Sequence, residues 1–248
     1  MTLRAARRAV TLCAALFLCI VRYWMVRIHG PLTLPQRALW LQTASRLVLA
    51  SFGVRARVTG QPPRLGIVVS NHLSYLDILV LSSAMPCFFI SKAEIDRWPY
   101  FGWAARTGGT LFLDRTSMSS AEKVAAAIAG RLPLPVPILF FPEGTSTDGS
   151  SVLPFYTRFF EPAVRAGAPV TAAAVRYIPG DGRAERDLCW FGDDPFLPHL
   201  WKTLGGGRFT AEVALGEPHV YTHRRLAATA TRAEIVNLRA GGAAAQSS

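Results

Sequence analysis

A histidine and an aspartate five positions apart have the residue types and the setting for proton transfer. His72 follows the apolar run 66–69, which is typical of a buried strand, and Asp77 precedes an apolar segment typical of a helix. The pattern Ser74-x-x-Asp77 predicts a helix with Ser74 as its N-cap. A turn at residues 73–74 then lets the Asp77 carboxylate point back at the His72 ring. In such a pair the imidazole accepts a hydroxyl proton, and the carboxylate orients the ring and stabilises the cation.

His72 belongs to one of four polar clusters that end predicted strands. The pair of His72 and Asp77 alone would also fit an ordinary capped helix after a polar turn. The clusters are Asn71-His72, Lys92, Asp114-Arg115 and Glu143-Gly144-Thr145, after the apolar runs 66–69, 87–90, 110–113 and 138–141. If those strands are parallel neighbours, the clusters meet at one edge of the sheet, where open α/β sheets bind ligands. A base, two or three cations and a glycine-bearing turn at this edge fit group transfer to or from a phosphorylated molecule.

Three of these residues suggest specific contacts with such a molecule. Arg115 can hold a phosphate through two parallel hydrogen bonds. Gly144 lets backbone N–H groups approach a substrate closely, and Glu143 can accept a hydrogen bond from an acceptor hydroxyl. A salt bridge with Asp114 or Glu143 is the lesser alternative for Arg115, whereas Lys92 would equally fit a solvated surface.

Apolar strands that alternate with helical segments predict an α/β fold, with a mainly parallel sheet flanked by helices. We expect this domain over residues 53–240 and a disordered tail at 241–248. Residues 54–58 alternate with a period of two, which predicts an edge strand. The other predicted elements are strands at 170–175 and 209–215, helices at 119–129, 155–166 and 222–239, and an aromatic loop at 98–103.

Residues 1–52 are predicted to form N-terminal helices that anchor the chain to a membrane. The apolar run 9–21 has arginines on both sides and is shorter than the roughly 18–20 residues that cross a bilayer. Snorkelling of Arg22 would lengthen this run into a span; otherwise the helix lies within one leaflet. Residues 34–52 form a second, amphipathic pattern, which fits either a membrane interface or a core helix.

A strongly basic composition indicates anionic partners. The 248 residues carry a formal net charge of +11 with a pI of about 10.3, and 50% of them are hydrophobic. Membrane head groups, nucleic acid and phosphorylated or CoA-type substrates would all suit this charge. The aromatic residues lie among apolar ones and no recognised nucleic-acid-binding motif occurs, so we expect no nucleic-acid partner. The four cysteines lack metal-ligand spacing, which predicts reduced, structural thiols and no metal.

Three motifs resemble, in order and spacing, the first three sequence blocks of the glycerolipid acyltransferase family, which includes the 1-acylglycerol-3-phosphate (lysophosphatidic acid) acyltransferases. The motifs are Asn71-His72-x-Ser74-x-x-Asp77, Gly109-Thr-Leu-Phe112-Leu-Asp114-Arg115 and Phe141-Pro142-Glu143-Gly144-Thr145. A looser fourth block resembles residues 168–177. The similarity covers about residues 50–176.

The resemblance implies an enzyme that moves a fatty acyl group from acyl-CoA or acyl-carrier protein to the hydroxyl of a lysophospholipid. We expect 1-acylglycerol-3-phosphate as the acceptor and phosphatidic acid as the product. The resemblance gives His72 as the base and Asp77 as its partner. The residues expected to bind substrate are Arg115, Glu143, Gly144, Thr145, Lys92 and Asn71. No cofactor is implied, because the acyl donor is itself a substrate. We expect a membrane-associated protein on a bacterial inner membrane, with its catalytic domain facing the cytoplasm.

Two departures from the family pattern leave the acceptor open. The third block usually continues with an arginine, whereas Ser146-Thr147 stand here, which removes a cation that would bind phosphate. The fourth block commonly has a proline where Ala172 or Ala173 stands. The runs 73–77 and 143–149 are also similar to lyso-ornithine lipid acyltransferases, which gives an alternative acceptor.

Three other classes of protein compete with an acyltransferase. The first is a thioester hydrolase that uses the same His–Asp pair on water. The second is a nucleic-acid-binding protein, suggested only by the basic pI. The third is a membrane scaffold without activity, against which the intact pair of His72 and Asp77 argues.

Overall fold

A seven-stranded sheet organises residues 2–113 and 118–244, which the computed structural model describes. The strands are β1 Val54–Thr59, β2 Ile67–Ser70, β3 Phe88–Lys92, β4 Leu111–Leu113, β5 Ile138–Phe140, β6 Val170–Pro179 and β7 Phe209–Leu215. They lie in the order β1-β7-β6-β2-β5-β3-β4. Neighbouring strands are parallel except β6 and β7, which are antiparallel. This confirms the predicted mainly parallel sheet, and β1 is an edge strand as its alternation predicts.

Helices cover both faces of this sheet. They are α1 Thr2–Arg27, α2 Leu34–Phe52, α3 Leu76–Ala84, α4 Phe101–Gly108, α5 Met118–Arg131, α6 Glu161–Ala166, α7 Phe196–Gly205 and α8 Arg224–Ala244. Short 3₁₀ turns occupy Ala93–Arg97, Thr157–Phe160 and Glu185–Leu188. Strand side chains alternate between two cores: Val68 packs with the layer that contains α1 to α3, whereas Ile67 and Val69 pack with the layer of α5, α6 and α8.

The first helix lies along the surface of the domain and presents two different faces. One face, with Ala5, Ala15 and Cys19, is buried against α2 and α7. The opposite face exposes large apolar side chains, among them Phe17 and Trp24. By length and composition alone, the segment Leu3–Arg27 could cross a membrane.

The second helix is a core helix along much of its length. Nine of its residues are buried, and it packs on α3, α4 and α1. Its N-terminus is closed by a reciprocal capping box, in which Thr33 and Gln36 each accept a hydrogen bond from the other's backbone N–H. Gly53 ends the helix in the left-handed conformation at φ 71°, which glycine adopts without steric cost. Residues 34–52 were predicted to lie either at a membrane interface or in the core, and α2 packs mainly in the core.

Three predicted elements differ from the structure in physically informative ways. The aromatic segment 98–103, predicted as a loop, contains the start of α4, because its rings pack on neighbouring aromatic residues. The helix predicted at 155–166 is divided into a 3₁₀ turn and α6, because Pro162 lacks an N–H and is tolerated only in a first helical turn. Strand β6 extends to Pro179 because β7 pairs with its second half.

The C-terminal boundary also differs from the expectation. Helix α8 continues to Ala244, so residues 241–244 are helical and not part of a disordered tail. Gly241 and Gly242 lie inside this last part of the helix, although glycine is a poor helix former. Residues 245–248 of the predicted tail lie outside the described part of the chain.

Candidate active site

The His72 ring and the Asp77 carboxylate are in direct contact. Nδ1 of His72 lies 2.7 Å from Oδ2 of Asp77, in the loop 71–75 that joins β2 to α3. This loop supplies the turn that the five-residue spacing requires. Asp77 is fully buried, whereas the His72 side chain keeps 21% of its surface exposed. Because Nδ1 is engaged by the carboxylate, Nε2 is the nitrogen that can exchange a proton with a bound molecule.

The same carboxylate also folds the loop. Oδ2 of Asp77 accepts hydrogen bonds from the backbone N–H groups of Leu73, at 2.6 Å, and Ser74, at 2.9 Å. The predicted N-cap at Ser74 is therefore wrong: the helix begins at Leu76 after Tyr75, and no side chain caps it in the usual way. The N–H groups that Asp77 accepts belong to residues before the helix, and Ser74 Oγ makes only a long 3.4 Å contact with the Leu76 N–H.

Tyr177 is a site residue for which no role was predicted from the sequence. Its hydroxyl donates a hydrogen bond to Oδ1 of Asp77, the oxygen that the loop leaves unused. Tyr177 is buried near the end of β6, and burial together with the nearby Asp77 carboxylate holds the pKa of this phenol well above its usual range. The phenol therefore stays protonated and remains a donor. The alternation of β6 was the available signal, since it directs residue 177 to the face that α3 covers.

Glu143 holds the backbone on the other side of His72. Its Oε1 accepts the His72 N–H at 2.8 Å, and its Oε2 accepts the Leu153 N–H at 2.7 Å. The side chain is buried, and burial raises the pKa of the carboxyl group. The folded state therefore holds this proton more tightly than the unfolded state, so the stability from this group falls as the pH rises from the ordinary carboxyl range through the raised pKa. These contacts favour a positioning role for Glu143 over direct contact with an acceptor hydroxyl.

The carbonyl groups of the loop are fixed from two further segments. The Thr147 N–H donates to the His72 carbonyl at 2.9 Å, and the Trp190 N–H donates to the Leu73 carbonyl at 2.8 Å. The Ser146 hydroxyl donates to the Trp190 carbonyl at 2.6 Å. Ser146 and Thr147, which stand where the family pattern has a cation, thus tie the loop to its surroundings.

An aromatic ring supports the imidazole. The Phe141 ring stacks on His72, with centroids 4.0 Å apart and planes 13° from parallel. With Nδ1 held by Asp77, this stack limits rotation of the ring. Phe141 ends the run 138–141 and opens the third motif. Its contact with His72 requires strands β2 and β5 to be neighbours, and the local sequence does not indicate this pairing.

Asn71 and Gly144 occupy supporting positions beside the pair. The Asn71 amide is buried and forms two hydrogen bonds with the backbone of Val175, at 3.1 and 2.8 Å, so it ties the loop to β6. Gly144 has a φ of 77°, a conformation that favours glycine. The binding roles predicted for these two residues remain predictions.

The remaining predicted substrate residues are more peripheral. Strands β2, β5, β3 and β4 are parallel neighbours, as the convergence of the four clusters requires. Lys92, at the end of β3, and Thr145 are both exposed. Arg115 and Asp114 lie at 114–117, outside the residues that the structure describes. Among the described residues, no group of three or more His, Cys, Asp or Glu side chains is arranged to hold a metal ion.

The geometry defines an α/β protein with a hydrogen-bonded histidine–aspartate pair after the carboxyl end of a parallel strand. A family model described as Acyltransferase matches residues 55–176. A lyso-ornithine lipid O-acyltransferase of Rhodobacter capsulatus is 38% identical over 70% of this chain and 64% of its own length. A 1-acyl-sn-glycerol-3-phosphate acyltransferase of Neisseria meningitidis is 37% identical over 68% of this chain and 67% of its own length. The chain belongs to the acyltransferase family.

A solved structure supports the fold independently of these sequences. The crystal structure of the 1-acyl-sn-glycerophosphate acyltransferase of Thermotoga maritima superimposes with a TM-score of 0.57 and 19% identity. The match covers 96% of this chain and 98% of the other. Helices and sheet are therefore arranged alike in the two chains, including the N-terminal region that precedes the matched family segment.

Replacing Glu143 tests whether it positions His72 or binds the acceptor. A glutamine has one carbonyl oxygen for two donors, so Glu143→Gln leaves the His72 or the Leu153 N–H without its acceptor. We expect a loss of about 1–3 kcal/mol in the free energy of unfolding and a fall in kcat of about 10–100-fold from misplacement of the base. Urea denaturation and steady-state kinetics measure both, with the exposed Glu217→Gln as control. A raised KM with unchanged kcat would instead indicate contact with the acceptor.

Replacing Tyr177 tests the support of Asp77. Tyr177→Phe keeps the ring and removes the donor to Oδ1, so we expect about 1.5–3 kcal/mol less stability, the value of a hydrogen bond to a charged group. Without this donor the carboxylate attracts the protonated imidazole more strongly. The acidic limb of the pH profile of kcat/KM should therefore move to higher pH. The exposed Tyr156→Phe should change neither quantity, and an unaltered profile in Tyr177→Phe would exclude the proposed support.

Proposed function

We propose that the chain transfers a fatty acyl group from a thioester, acyl-CoA or acyl-carrier protein, to the hydroxyl of a lysolipid, with His72 as the general base. The 2.7 Å contact between His72 Nδ1 and Asp77 carries this proposal. It leaves Nε2 for the acceptor hydroxyl, on a ring that a buried carboxylate and a stacked phenyl hold in place. The family and the names of its relatives support the type of reaction.

In the proposed reaction His72 first accepts one proton and later donates it. His72 Nε2 takes the proton of the acceptor hydroxyl as its oxygen attacks the thioester carbonyl, and the C–O bond forms. When the tetrahedral intermediate collapses, the C–S bond breaks and the thiolate leaves with the proton from the imidazolium. Asp77 stabilises the imidazolium between these steps and keeps the proton on Nδ1. The loop contacts of Glu143, Thr147 and Trp190 hold the backbone still meanwhile, so little reorganisation is needed.

We further propose that α1 seats the protein in one leaflet of a membrane. The buried face of α1 runs from Ala5 to Cys19 against α2 and α7, so the helix is parallel to the surface of the domain. If α1 crossed the membrane in this position, the parts of the domain that pack against it would also have to enter the bilayer. We therefore propose that α1 does not span the membrane. Its other face, with Leu3, Val10 and Phe17 exposed, suits burial among acyl chains. We expect the catalytic domain to face the cytoplasm, where both acyl donors occur.

Two acceptors each have a specific observation in their favour. Lysophosphatidic acid is the prediction from sequence, supported by Arg115 and by the Neisseria relative. Lyso-ornithine lipid is supported by the Rhodobacter relative and by a Pseudomonas aeruginosa protein of that name, 38% identical over 68% of this chain and 65% of its own length. Ser146 also favours the second acceptor, because its hydroxyl is bonded to Trp190 where the family pattern would supply a cation.

Substitution of the pair tests the mechanism. General-base help is worth about 10²–10⁴-fold in rate, so His72→Ala should lower kcat by that factor. Asp77→Asn should also lower it strongly, because an amide cannot stabilise the imidazolium. Acyl transfer from acyl-CoA to a lysolipid is measured with purified protein. The exposed His223→Ala is the control, and more than half of the wild-type kcat in a folded His72→Ala protein would refute the base. Thioester consumption without any acceptor would support the hydrolase instead.

A panel of acceptors tests the head group. With lysophosphatidic acid, Arg115→Gln should raise KM through the loss of a charge-assisted contact of about 1.5–3 kcal/mol, roughly 10–150-fold. With lyso-ornithine lipid the same variant should change KM little. The measurement is kcat and KM for both acceptors, with Arg225→Gln as a charge-matched control. A KM for lysophosphatidic acid that is indifferent to Arg115→Gln would remove the main support for the phosphate acceptor.

A further inference from the structure

Five arginines gather at the N-terminal end of α1. Arg4, Arg7 and Arg8 come from α1 itself. Arg183 comes from the loop after β6, and Arg208 directly precedes β7. The other four guanidinium groups all lie close enough to Arg8 to repel its charge. We call these five residues the arginine cluster.

Two glycines make room for the close approach of these side chains. A Cβ atom on Gly206 would lie 2.4 Å from Nη2 of Arg183, and Nη1 of Arg8 donates to the Gly206 carbonyl at 2.9 Å. A Cβ atom on Gly53 would lie 2.4 Å from Nη2 of Arg8 and 3.4 Å from Cγ of Arg208. The guanidinium groups of Arg8 and Arg183 thus meet over the backbone at the end of α7.

The cluster holds more positive charge than its neighbours balance. Nε of Arg183 donates to both oxygens of Asp181 at 2.9 Å, and this is the ion pair that the described residues provide for the cluster. Arg4 and Arg8 donate to uncharged carbonyls at the C-terminus of α7. Nη2 of Arg183 is buried and has no hydrogen-bond partner among the described residues. A bound anion would supply the missing acceptor and relieve the repulsion.

The position of the cluster indicates which anion it would meet. Leu3 and Val10 are exposed on α1, and Arg7 lies between them on the same face by helical spacing. Arg4 and Arg8 flank this face on the side of α7. The cluster therefore begins where the exposed apolar stripe of α1 ends. The phosphodiester of a phospholipid could contact the arginine cluster while its acyl chains contact the apolar stripe. A free phosphate could contact only the arginines.

We propose that the arginine cluster binds the head group of an anionic phospholipid in the membrane on which α1 lies. This inference rests on the membrane seat of α1 proposed above. The head group would accept hydrogen bonds from Arg183 and its neighbours and fix the rotation of α1 about its axis. The lipid bound here is a component of the bilayer and is not consumed by the reaction at His72.

Flotation with vesicles separates the two claims. Full-length protein is diluted from detergent onto vesicles of phosphatidylcholine alone, or of phosphatidylcholine with about 30 mol % phosphatidylglycerol, whose negative surface attracts basic residues. Wild-type protein should bind both, because the apolar stripe inserts, and should bind the anionic vesicles more tightly. Arg183→Gln with Arg208→Gln should reduce that preference by about 25-fold, at about fivefold per guanidinium. Binding to phosphatidylcholine should not change.

Matched variants keep the result interpretable. Arg64→Gln with Arg225→Gln removes the same charge from exposed sites outside the cluster and should retain at least half of the preference. If the double cluster variant melts earlier than the wild type, Arg208→Gln alone should still lose about fivefold. An undiminished preference in the cluster variants, or an equal loss in the control, overturns the inference. Failure of wild-type protein to float with either vesicle overturns the membrane seat instead.

Discussion

The Asp77 carboxylate accepts hydrogen bonds on both oxygens in a position fully closed to solvent. His72, Leu73 and Ser74 donate to one oxygen and Tyr177 to the other. A buried carboxylate is costly unless such donors replace the water it has lost. The loop can therefore adopt this conformation only when β2, α3 and β6 are all in place, because each contributes a donor or its support. The position of the His72 ring beside Asp77 follows from the same condition.

The sheet order explains why these contacts form from distant parts of the chain. Strand β2 lies between β5 and β6, so the loop that follows it receives Glu143 and Thr147 from one side and Tyr177 from the other. The side chain of Asn71 joins the first residue of the loop to Val175 on the same strand as Tyr177. The site is thus built into the middle of the sheet, and substrate would meet a surface that is already ordered. A pre-ordered surface is what electrostatic catalysis requires.

Local sequence was enough to predict some of this arrangement and could not contain the rest. The strands before His72 and Glu143 and the edge strand at 54–58 follow from apolar runs and alternation, and the turn between His72 and Asp77 follows from their spacing. The contacts of Phe141, Tyr177 and Trp190 with this region join distant segments: Tyr177 lies 100 positions from Asp77, and Trp190 lies 117 positions from Leu73. The alternation of β6 indicates the face on which Tyr177 lies, but no local pattern indicates the partner of any of these side chains. The N-cap was predicted wrongly at Ser74 because the capping rule assumes that the carboxylate takes part in capping the helix. Asp77 instead accepts hydrogen bonds from the loop that precedes the helix. The roles of Lys92, Thr145 and Arg115 in binding remain predictions.

The docking of α1 on α7 has a consequence for how the chain is made. Arg4 donates to Gly206, across 202 positions of sequence, so the groove that receives α1 does not exist until most of the chain has left the ribosome. At about 5–20 residues per second, the apolar first helix has α2 beside it but lacks α7 for roughly 10–40 s. A nearby lipid surface is available throughout that interval. The bilayer would then bind the nascent helix before the catalytic domain is complete. The position of this helix in the bilayer would set the orientation of the domain before the domain has folded.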